Sequence, residues 1–325
     1  MSRQTKKLAA LALVGALALS ACSGGSSGDT SSGGGDDQPY VAIVSKGFSQ
    51  QYWQIVKSGA EDKAAELGVR MTFVGPPDES AVEDQIQQLT DALGSNPDAI
   101  GFAALDSRAA APLMDQAQER DIPVVAFDSG VDSDIPVATV ATDNKAAAAE
   151  AAEHMSDLLG GKGKVAVIGI DQTSKSGVDR RDGFVEWMTE NAPDIEVLEP
   201  QYAESDQTKA ADIAKSFIQA NPDLDGIFGV NEAAATGMVK GAQETGKEGL
   251  TLVGFDSGTA QVNFVKDGTM AGAVTQNPYG MGEQVVQTAV DAINGTTVEN
   301  FIDTGFYWYD QSNISDPEID KSLYY

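Results

Sequence analysis

The sequence has very few of the residues on which catalytic and metal chemistry usually depend. Its 325 residues include one cysteine and one histidine, so an internal disulfide framework and a cysteine-based metal site are excluded. The histidine, His154, stands in "AAEHMSDLL", a predicted helix far in sequence from any candidate nucleophile, and we expect it on a helix or subunit surface. The G-x-S-x-G, H-E-x-x-H and phosphate-binding glycine motifs are also missing. The sequence therefore predicts a protein that is not an enzyme and that holds no cofactor or metal.

Basic residues are scarce as well. The chain has 21 lysines and arginines against 49 aspartates and glutamates, which gives a formal net charge of -28. A surface of this sign repels nucleic acid and anionic lipid headgroups, so neither is an expected partner. The acidic residues are spread along the chain without long blocks, which is typical of a solvated surface. This distribution does not identify a ligand.

The only long apolar run lies at the N-terminus and is too short for a mature membrane span. Three basic residues within the first seven positions precede an apolar stretch from Leu8 to about Leu19, whereas a spanning helix needs roughly 20 apolar residues. This arrangement is typical of a signal peptide. We place the signal peptide at residues 1–21.

The single cysteine directly follows that run, in Leu19-Ser20-Ala21-Cys22. This segment resembles the bacterial lipobox, which implies that diacylglycerol is attached to Cys22 and that Cys22 becomes the mature N-terminus. An ordinary secretory signal with a chance cysteine is the alternative. The next residues, "SGGSSGDTSSGGGDDQ", lack apolar side chains and predict a flexible tether over 22–38. We expect an extracytoplasmic protein anchored by lipid to the outer face of the cell membrane, with a Gram-positive type of surface favoured.

Beyond the tether, apolar strand-like segments alternate with helical stretches in two series. Continuous apolar strands separated by helices are typical of parallel sheets in α/β proteins. The predicted strands are 41–45, 71–75, 99–105, 123–128 and 137–143 in the first series, and 164–170, 196–202, 225–231, 251–256 and 271–276 in the second. The sequence therefore predicts two α/β sheets.

The two series also share short sequences. "NPDAIGF" at Asn96 returns as "NPDLDGIFG" at Asn221, and "AFDSG" at Ala126 returns as "GFDSG" at Gly254, at offsets of 125 and 128 residues. A nearly constant offset favours a duplicated topology. Equivalent strands are then expected to end in equivalent chemistry.

Polar residues follow several predicted strands of both series. Ligands of open α/β sheets bind at the carboxyl ends of the strands, so these residues would converge if the two sheets face each other. Each alone could instead cap the following helix. The residues at these strand ends are Asp106, Asp128, Asn231, Asp256 and Gln276.

Seven segments carry a resemblance to a known family over the chain from about Tyr40 to its end. They are "SKGFSQQYWQIVKSGAEDKAAELG", "FDSG", "ATDN", "DRRDGF", "NEAAATG", "GFDSG" and "TQNPYGMG". In this order they resemble the type I periplasmic binding proteins, of the ribose-binding kind, that serve ABC sugar importers. The resemblance implies an α/β fold of two Rossmann-like lobes with parallel sheets, joined by three crossover segments.

The same resemblance implies where the lobes divide. The crossings are expected near Thr142-Asp143, near Gln276-Asn277 and near Phe301-Thr304. The N-terminal lobe would then comprise 39–142 plus 277–303. The C-terminal lobe would comprise 143–276 plus 304–325.

Site residues are transferred from the family position by position. The first-loop aromatics correspond to Tyr52 and Trp53, and Trp53 is expected to stack on a sugar face, with a core aromatic as the alternative. Gln50 stands where the family often has Asn. The full expected ligand-binding set is Gln50, Tyr52, Trp53, Asp106, Asp128, Ser129, Arg180, Asn231, Asp256 and Gln276.

Some positions depart from the ribose-binding pattern. Ser129 and Val178 stand where ribose-type members carry arginine, which makes ribose itself doubtful. Arg180 keeps the second basic position, although it could instead pair with surface carboxylates. Ser205 replaces a frequent aromatic, so the pocket is expected to accept a larger sugar, a ketose or a polyol.

The resemblance implies a monomeric lipoprotein that captures a small neutral sugar (pentose, hexose or ketose) or polyol between its lobes and delivers it to an ABC permease. A ligand sensor for a signalling partner and a binding protein for a nucleoside remain alternatives. A glycosidase using Asp128 and Asp256 is a further alternative. A sugar-sensing transcription regulator would need a DNA-binding module where this chain has its signal and tether.

Overall fold

A computed structural model describes residues 38–325, so the predicted signal peptide, Cys22 and nearly all of the tether lie outside the described residues. From Gln38 onward the chain forms one compact unit built around two sheets. Within this part of the chain, no helix is both long and apolar enough to cross a membrane.

The first part of the chain alternates strands and helices as predicted. Its elements are β1 (Tyr40–Val44), α1 (Gln51–Leu67), β2 (Arg70–Val74), α2 (Val82–Gly94), β3 (Ala99–Phe102), α3 (Ala111–Gln118), β4 (Val124–Phe127) and β5 (Ala138–Ala141). The next part repeats the alternation with α4 (Asn144–Leu159), β6 (Gly163–Gly169), α5 (Lys175–Asn191), β7 (Ile195–Val197), β8 (Gln201–Tyr202), α6 (Gln207–Ala220), β9 (Gly226–Gly229), α7 (Glu232–Thr245), β10 (Thr251–Phe255), α8 (Thr259–Lys266) and β11 (Gly272–Gln276). The last elements are α9 (Pro278–Ile293), β12 (Phe301–Asp303), β13 (Phe306–Asp310) and α10 (Pro317–Asp320).

The strands form two sheets with matching order. The first sheet runs β12-β5-β4-β3-β1-β2, and the second runs β13-β11-β10-β9-β6-β7, with β8 paired to β6. All pairs are parallel except β11 with β13. The predicted α/β fold with two parallel sheets is confirmed, and β4 and β10, which precede the two "FDSG" segments, occupy equivalent places.

Both faces of each sheet are covered by helices, which explains why the central strands are apolar throughout. In β1, Val41 and Ile43 belong to the core cluster on one face, together with residues of α1 and α9. Ala42 and Val44 belong to the cluster on the other face, with residues of α2 and α3. Side chains alternate across a strand, so a strand that is covered on both sides shows no polar alternation.

Glycines let helices on one face of each sheet approach closely. A Cβ on Gly59 of α1 would overlap the backbone of Tyr279, and a Cβ on Gly282 of α9 would overlap the carbonyl of Val56. Gly237 and Gly241 of α7 stand in the same relation to α6. These contacts hold α1 close to α9 and α7 close to α6.

The chain changes sheets three times, after β5, after β11 and after β12. We call the first sheet with its helices the N-terminal lobe and the second sheet with its helices the C-terminal lobe. The carboxyl ends of β1 and β4 in one lobe and of β9 and β10 in the other meet at a cavity.

Candidate functional site

A cavity of about 290 Å³ lies between the lobes, where these strand ends face each other. Side chains from both lobes line it. Seven of the predicted site residues are among them, namely Gln50, Tyr52, Asp128, Arg180, Asn231, Asp256 and Gln276. The structure therefore brings together residues that are as much as 226 positions apart in the chain, from Gln50 to Gln276.

Asp128 and Asp256 occupy equivalent, strained positions. Asp128 directly follows β4 with φ 57°, and Asp256 directly follows β10 with φ 83°. The backbone N–H of each donates to the neighbouring strand, to Val140 at 2.9 Å and to Val274 at 2.7 Å. A positive φ in a residue other than glycine costs on the order of 1–3 kcal/mol and is concentrated at functional sites. The strain here turns both carboxylates toward the space between the lobes.

The Asp128 carboxylate is held by two partners from its own lobe. Lys46 Nζ lies 2.8 Å from one oxygen, and the Tyr52 hydroxyl donates to the other at 2.8 Å. Burial alone would lower the pKa of Lys46, but the charges of Asp128 and Glu79 outweigh it and the pKa is raised. Burial, and then Asp128, raise the pKa of Tyr52 well above its ordinary value. The raised pKa values therefore favour protonated Lys46 and neutral Tyr52.

Asp256 is held differently, by an amide and a backbone group. Gln276 Nε2 donates to one carboxylate oxygen at 2.7 Å, and the backbone N–H of Glu232 donates to the other at 2.9 Å. The Tyr309 hydroxyl donates to the Asp256 carbonyl at 2.7 Å. Gln276, at the end of β11, is thus both a cavity residue and a support for Asp256.

Arg180 is a buried residue and not a surface ion-pair partner. Its side chain is only 4% exposed, with Nη1 3.9 Å from Asp256. Its Nε donates to Asn144 at 2.7 Å, its Nη1 donates to the Val230 carbonyl at 3.2 Å, and its guanidinium lies over the Phe255 ring. The alternative of surface pairing applies instead to Arg181, whose Nη2 contacts Asp182.

Asn231 combines the two roles that the sequence left open. Its Oδ1 accepts from the backbone N–H of Ala234 at 2.9 Å and caps α7, as a helix N-cap does. Its Nδ2 donates to Ser205 Oγ at 3.0 Å on the cavity wall. Helix capping and site formation therefore use opposite ends of one amide.

Three predicted site residues do not line the cavity. Trp53 is 1% exposed and packs edge-to-face on Tyr52 and Phe127, so it is a core aromatic, and its Nε1 donates to Glu79 at 2.9 Å. Asp106 accepts from two backbone N–H groups of its own loop at 2.9 Å. Ser129 Oγ is buried and accepts from the backbone N–H of Ser176, in the other lobe, at 3.3 Å. The structure does not bring these three side chains to the cavity wall.

Nine cavity residues were not in the predicted set, and six of them are polar, namely Lys46, Glu79, Ser205, Gln207, Glu232 and Thr236. Lys46 lies two residues after β1, and Glu79 lies in the loop after β2. The rule that polar residues follow strand ends could have found both of them. Glu232 stands in "NEAAATG", one of the segments that carried the family resemblance, but was not singled out, and Ser205 was noted only as a departure.

The lobes touch each other around the cavity. Ser107 Oγ donates to the Thr173 carbonyl at 2.9 Å, and Ser205 Oγ donates to Glu79 at 3.0 Å. Thr259 Oγ1 also donates to Gln51 at 3.2 Å. The structure therefore shows the lobes closed over the cavity.

Comparison with known proteins assigns this two-lobed architecture to a protein family. Residues 41–297 match the family described as periplasmic binding protein domain. The chain belongs to this family. Among relatives of this periplasmic binding protein is the D-allose-binding periplasmic protein of Escherichia coli (strain K12), which is 33% identical over 260 residues, covering 77% of this chain and 83% of that protein.

Solved structures resemble this binding protein along nearly their whole length. A carbohydrate transporter solute-binding protein from Agrobacterium radiobacter in complex with D-arabinose has a TM-score of 0.85 and 30% identity, covering 89% of this chain and 100% of that one. An ABC transporter solute-binding protein from Agrobacterium vitis with bound D-fucose has a TM-score of 0.83 and 36% identity, covering 87% and 99%. The resemblance stated from the sequence motifs is therefore confirmed.

The cavity of this binding protein is suited to hydrogen bonding. Lys46, Asp128, Arg180 and Asp256 are buried and oriented by partners, and charge-assisted hydrogen bonds are the stronger kind. Among residues 38–325, no group of three or more His, Cys, Asp or Glu side chains is arranged to hold a metal ion. The arrangement can grip a polyhydroxylated molecule from both lobes at once.

Proposed function

We propose that this protein is an extracytoplasmic solute-binding component that captures a small sugar or polyol between its lobes and delivers it to an ABC permease. The observation that carries this is the equivalent pair Asp128 and Asp256, one from each lobe, in strained positions facing one cavity. The relatives with bound D-arabinose and D-fucose support the choice of a sugar. The protein performs no chemistry on its ligand.

We propose the seven cavity residues of the predicted set as ligand contacts, with Trp53, Asp106 and Ser129 acting behind them or between the lobes. The proposed lobe boundaries remain 39–142 plus 277–303 and 143–276 plus 304–325. The assignment of each strand to its sheet supports them. A ligand that contacts both lobes selects the closed form, which is the form that a permease would distinguish.

We also propose that the protein is attached to the membrane by lipid on Cys22 and that its binding unit is monomeric. The lipobox-like segment and the tether that follows support the anchor. Expression of Cys22→Ala in a bacterial host tests the anchor. The wild-type chain is expected in the membrane fraction and the variant in the medium or the soluble envelope fraction, whereas membrane retention of the variant would contradict the proposal.

A thermal-shift screen tests the binding function. The purified protein is stripped of carried-over ligand by partial unfolding and dialysis, and then tested against pentoses, hexoses, polyols, nucleosides and amino acids. A ligand that binds only the native state adds RT ln(1 + [L]/Kd), about 2.7 kcal/mol at a hundredfold excess over Kd. We expect a selective shift with a sugar or polyol. A shift only with nucleosides or amino acids would overturn the ligand class.

A further inference from the structure

The cavity is lined by more carboxyl groups than cations. Each cation faces one carboxylate, since Lys46 lies 2.8 Å from Asp128 and Arg180 lies 3.9 Å from Asp256. Two further carboxyl groups, those of Glu79 and Glu232, line the same cavity and form no salt bridge among residues 38–325. Within this part of the chain, four carboxyl groups therefore share the cavity with two cationic side chains.

Glu79 is positioned by neutral donors from both lobes. One carboxylate oxygen accepts from Trp53 Nε1 at 2.9 Å, and the other accepts from Ser205 Oγ at 3.0 Å. Lys46 is the nearby cation whose charge Glu79 influences, but Asp128 holds that ammonium in an ion pair. Glu79 thus lines the cavity with hydrogen bonds from neutral donors and without a salt bridge of its own among residues 38–325.

The Glu232 carboxylate has less hydrogen-bond support than the Glu79 carboxylate. It packs against Gly258, where a Cβ would overlap it, and no side chain within residues 38–325 donates a hydrogen bond to it. Burial, then the charges of Asp256 and Glu79, raise the pKa of Glu232 to about 7. The charge of Glu79, in one lobe, thus acts on Glu232, in the other.

The cavity wall has further hydrogen-bond acceptors. Besides the two glutamates, Gln50 Oε1 is buried and receives no hydrogen bond within residues 38–325. Gln207 and Thr236 add neutral polar groups that could hydrogen-bond either a donor or an acceptor. A hydroxyl brings one donor and two lone pairs, whereas an ammonium brings three donors, no acceptor and a positive charge.

We propose that the Glu79 and Glu232 carboxylates receive a protonated amino group of the ligand, so that an amino sugar or amino polyol binds in preference to its neutral parent. This inference rests on the proposed function of the cavity as a sugar or polyol site. The charge of the whole chain, -28, favours the same ligand class, because an acidic surface attracts cations toward the cleft.

Isothermal titration of the purified, ligand-stripped protein tests the inference. The probes are D-glucosamine, D-galactosamine and D-mannosamine, each compared with its neutral parent hexose and its N-acetyl derivative. N-acetylation removes the charge and two donors while keeping the ring. At least one amine is expected to bind about tenfold or more tightly than both of its uncharged counterparts, as a charge-assisted hydrogen bond implies.

Two variants distinguish a charge effect from a general loss of binding. Glu232→Gln keeps the shape of the side chain and is expected to reduce the ratio of amine to parent affinity about tenfold or more. Glu190→Gln removes an exposed carboxylate from the same lobe and is expected to leave that ratio unchanged. Circular dichroism melting confirms that each variant is folded.

The outcomes separate the inference from the proposed function. If the neutral hexoses bind as tightly as the amines, or if Glu232→Gln leaves the ratio unchanged, the amino-group inference is wrong while the sugar site stands. If no sugar, polyol or amine binds in this titration or in the thermal-shift screen, the proposed function itself is wrong.

Discussion

Asp128 shows how one residue can carry both stability and binding. Its backbone has a positive φ, its carboxylate is 2% exposed, and Lys46 and Tyr52 occupy its oxygens from one side. A buried ion pair adds little net stability, but removal of one partner leaves an uncompensated charge. Substitution of Asp128 is therefore expected to change both the stability of the fold and the affinity for ligand.

We expect Asp128→Ala to lower the free energy of unfolding by about 3–5 kcal/mol, because it leaves the Lys46 ammonium buried and unpaired. Urea unfolding followed by circular dichroism measures this effect. The double variant Asp128→Ala with Lys46→Met removes both charges and is expected to recover most of the loss. If the double variant is no more stable than the single one, the buried pair is not the cause.

Glu232 predicts a dependence of stability on pH. Its pKa rises from an ordinary value of 4.5 to about 7 in the folded protein, so the folded state binds the proton more tightly between those two values. The unfolded state then holds fewer protons, and the free energy of unfolding falls as the pH rises through that window. The stabilisation from protonated Glu232 is present below about pH 4.5 and is lost above about pH 7.

We expect Glu232→Gln to be more stable than the wild type by about 1–3 kcal/mol at pH 8 and nearly equal to it near pH 4.5, since each unit of pKa difference corresponds to about 1.4 kcal/mol. Denaturant unfolding at a series of pH values measures the difference. The exposed control Glu190→Gln is expected to parallel the wild type. A constant offset between Glu232→Gln and the wild type at all pH values would contradict the assignment.

At the scale of elements, glycine contacts hold α1 against α9. Gly59 and Gly282 leave space for the backbone of the facing helix, so no side chain separates the two axes. α1 begins at Gln51, next to the cavity residues Gln50 and Tyr52, and α9 follows Gln276. The spacing of these helices therefore sets the position of the cavity wall.

We expect Gly282→Ala to lower the free energy of unfolding by about 1–3 kcal/mol, because the added methyl group would force α1 and α9 apart. Gly94→Ala is the matched control. Gly94 ends α2, has no heavy atom within 4 Å of an added Cβ, and is expected to be neutral or to gain about 0.4–1 kcal/mol. Equal stability losses in the two variants would show that close helix contact is not the reason.

At the scale of the whole molecule, the lobes meet through few hydrogen bonds outside the crossover segments. These include Ser107 to Thr173, Ser205 to Glu79 and Thr259 to Gln51. Such contacts are individually weak, since a typical hydrogen bond adds about 0.5–1.5 kcal/mol net. A ligand held by both lobes would therefore decide between the open and the closed form.

We expect the sugar, polyol or amine with the largest thermal shift to reduce the radius of gyration of the protein in small-angle X-ray scattering. The physical reason is that only the closed form lets the ligand contact Asp128 and Asp256 together. Asp256→Ala, at the same ligand concentration, is expected to show a smaller change or none. An unchanged radius for the wild type at saturation would contradict closure by the ligand.

Local sequence patterns predicted most of the strands. The apolar segment 41–45 predicted β1, which lies at Tyr40–Val44, and the segment 251–256 predicted β10, which lies at Thr251–Phe255. The two "FDSG" repeats predicted that Asp128 and Asp256 are equivalent. These predictions succeed because strand and helix formation, and the ends of buried strands, depend on residues close together in the chain.

The antiparallel strand β13 and the split of the segment 196–202 into β7 and β8 were not predicted. β13 pairs with β11 about 30 residues earlier, at register Gln276 with Phe306, and no local pattern contains that pairing. β7 and β8 both add to β6, along different parts of its length. The neighbour of each strand in the sheet depends on tertiary packing, so a short stretch of sequence does not determine it.

The sequence alone was sufficient to establish the α/β class, the repeated alternation of strands and helices and the chemistry at the two main strand ends, because each depends on apolar periodicity or on short repeated segments. Which side chains face the cavity depends on the tertiary structure. Trp53 turns into the core against Phe127, whereas Lys46 and Arg180 turn inward to meet carboxylates 82 and 76 residues away in the chain. The direction of a side chain is set by the neighbours that the fold brings to it, and those neighbours lie far away in the sequence.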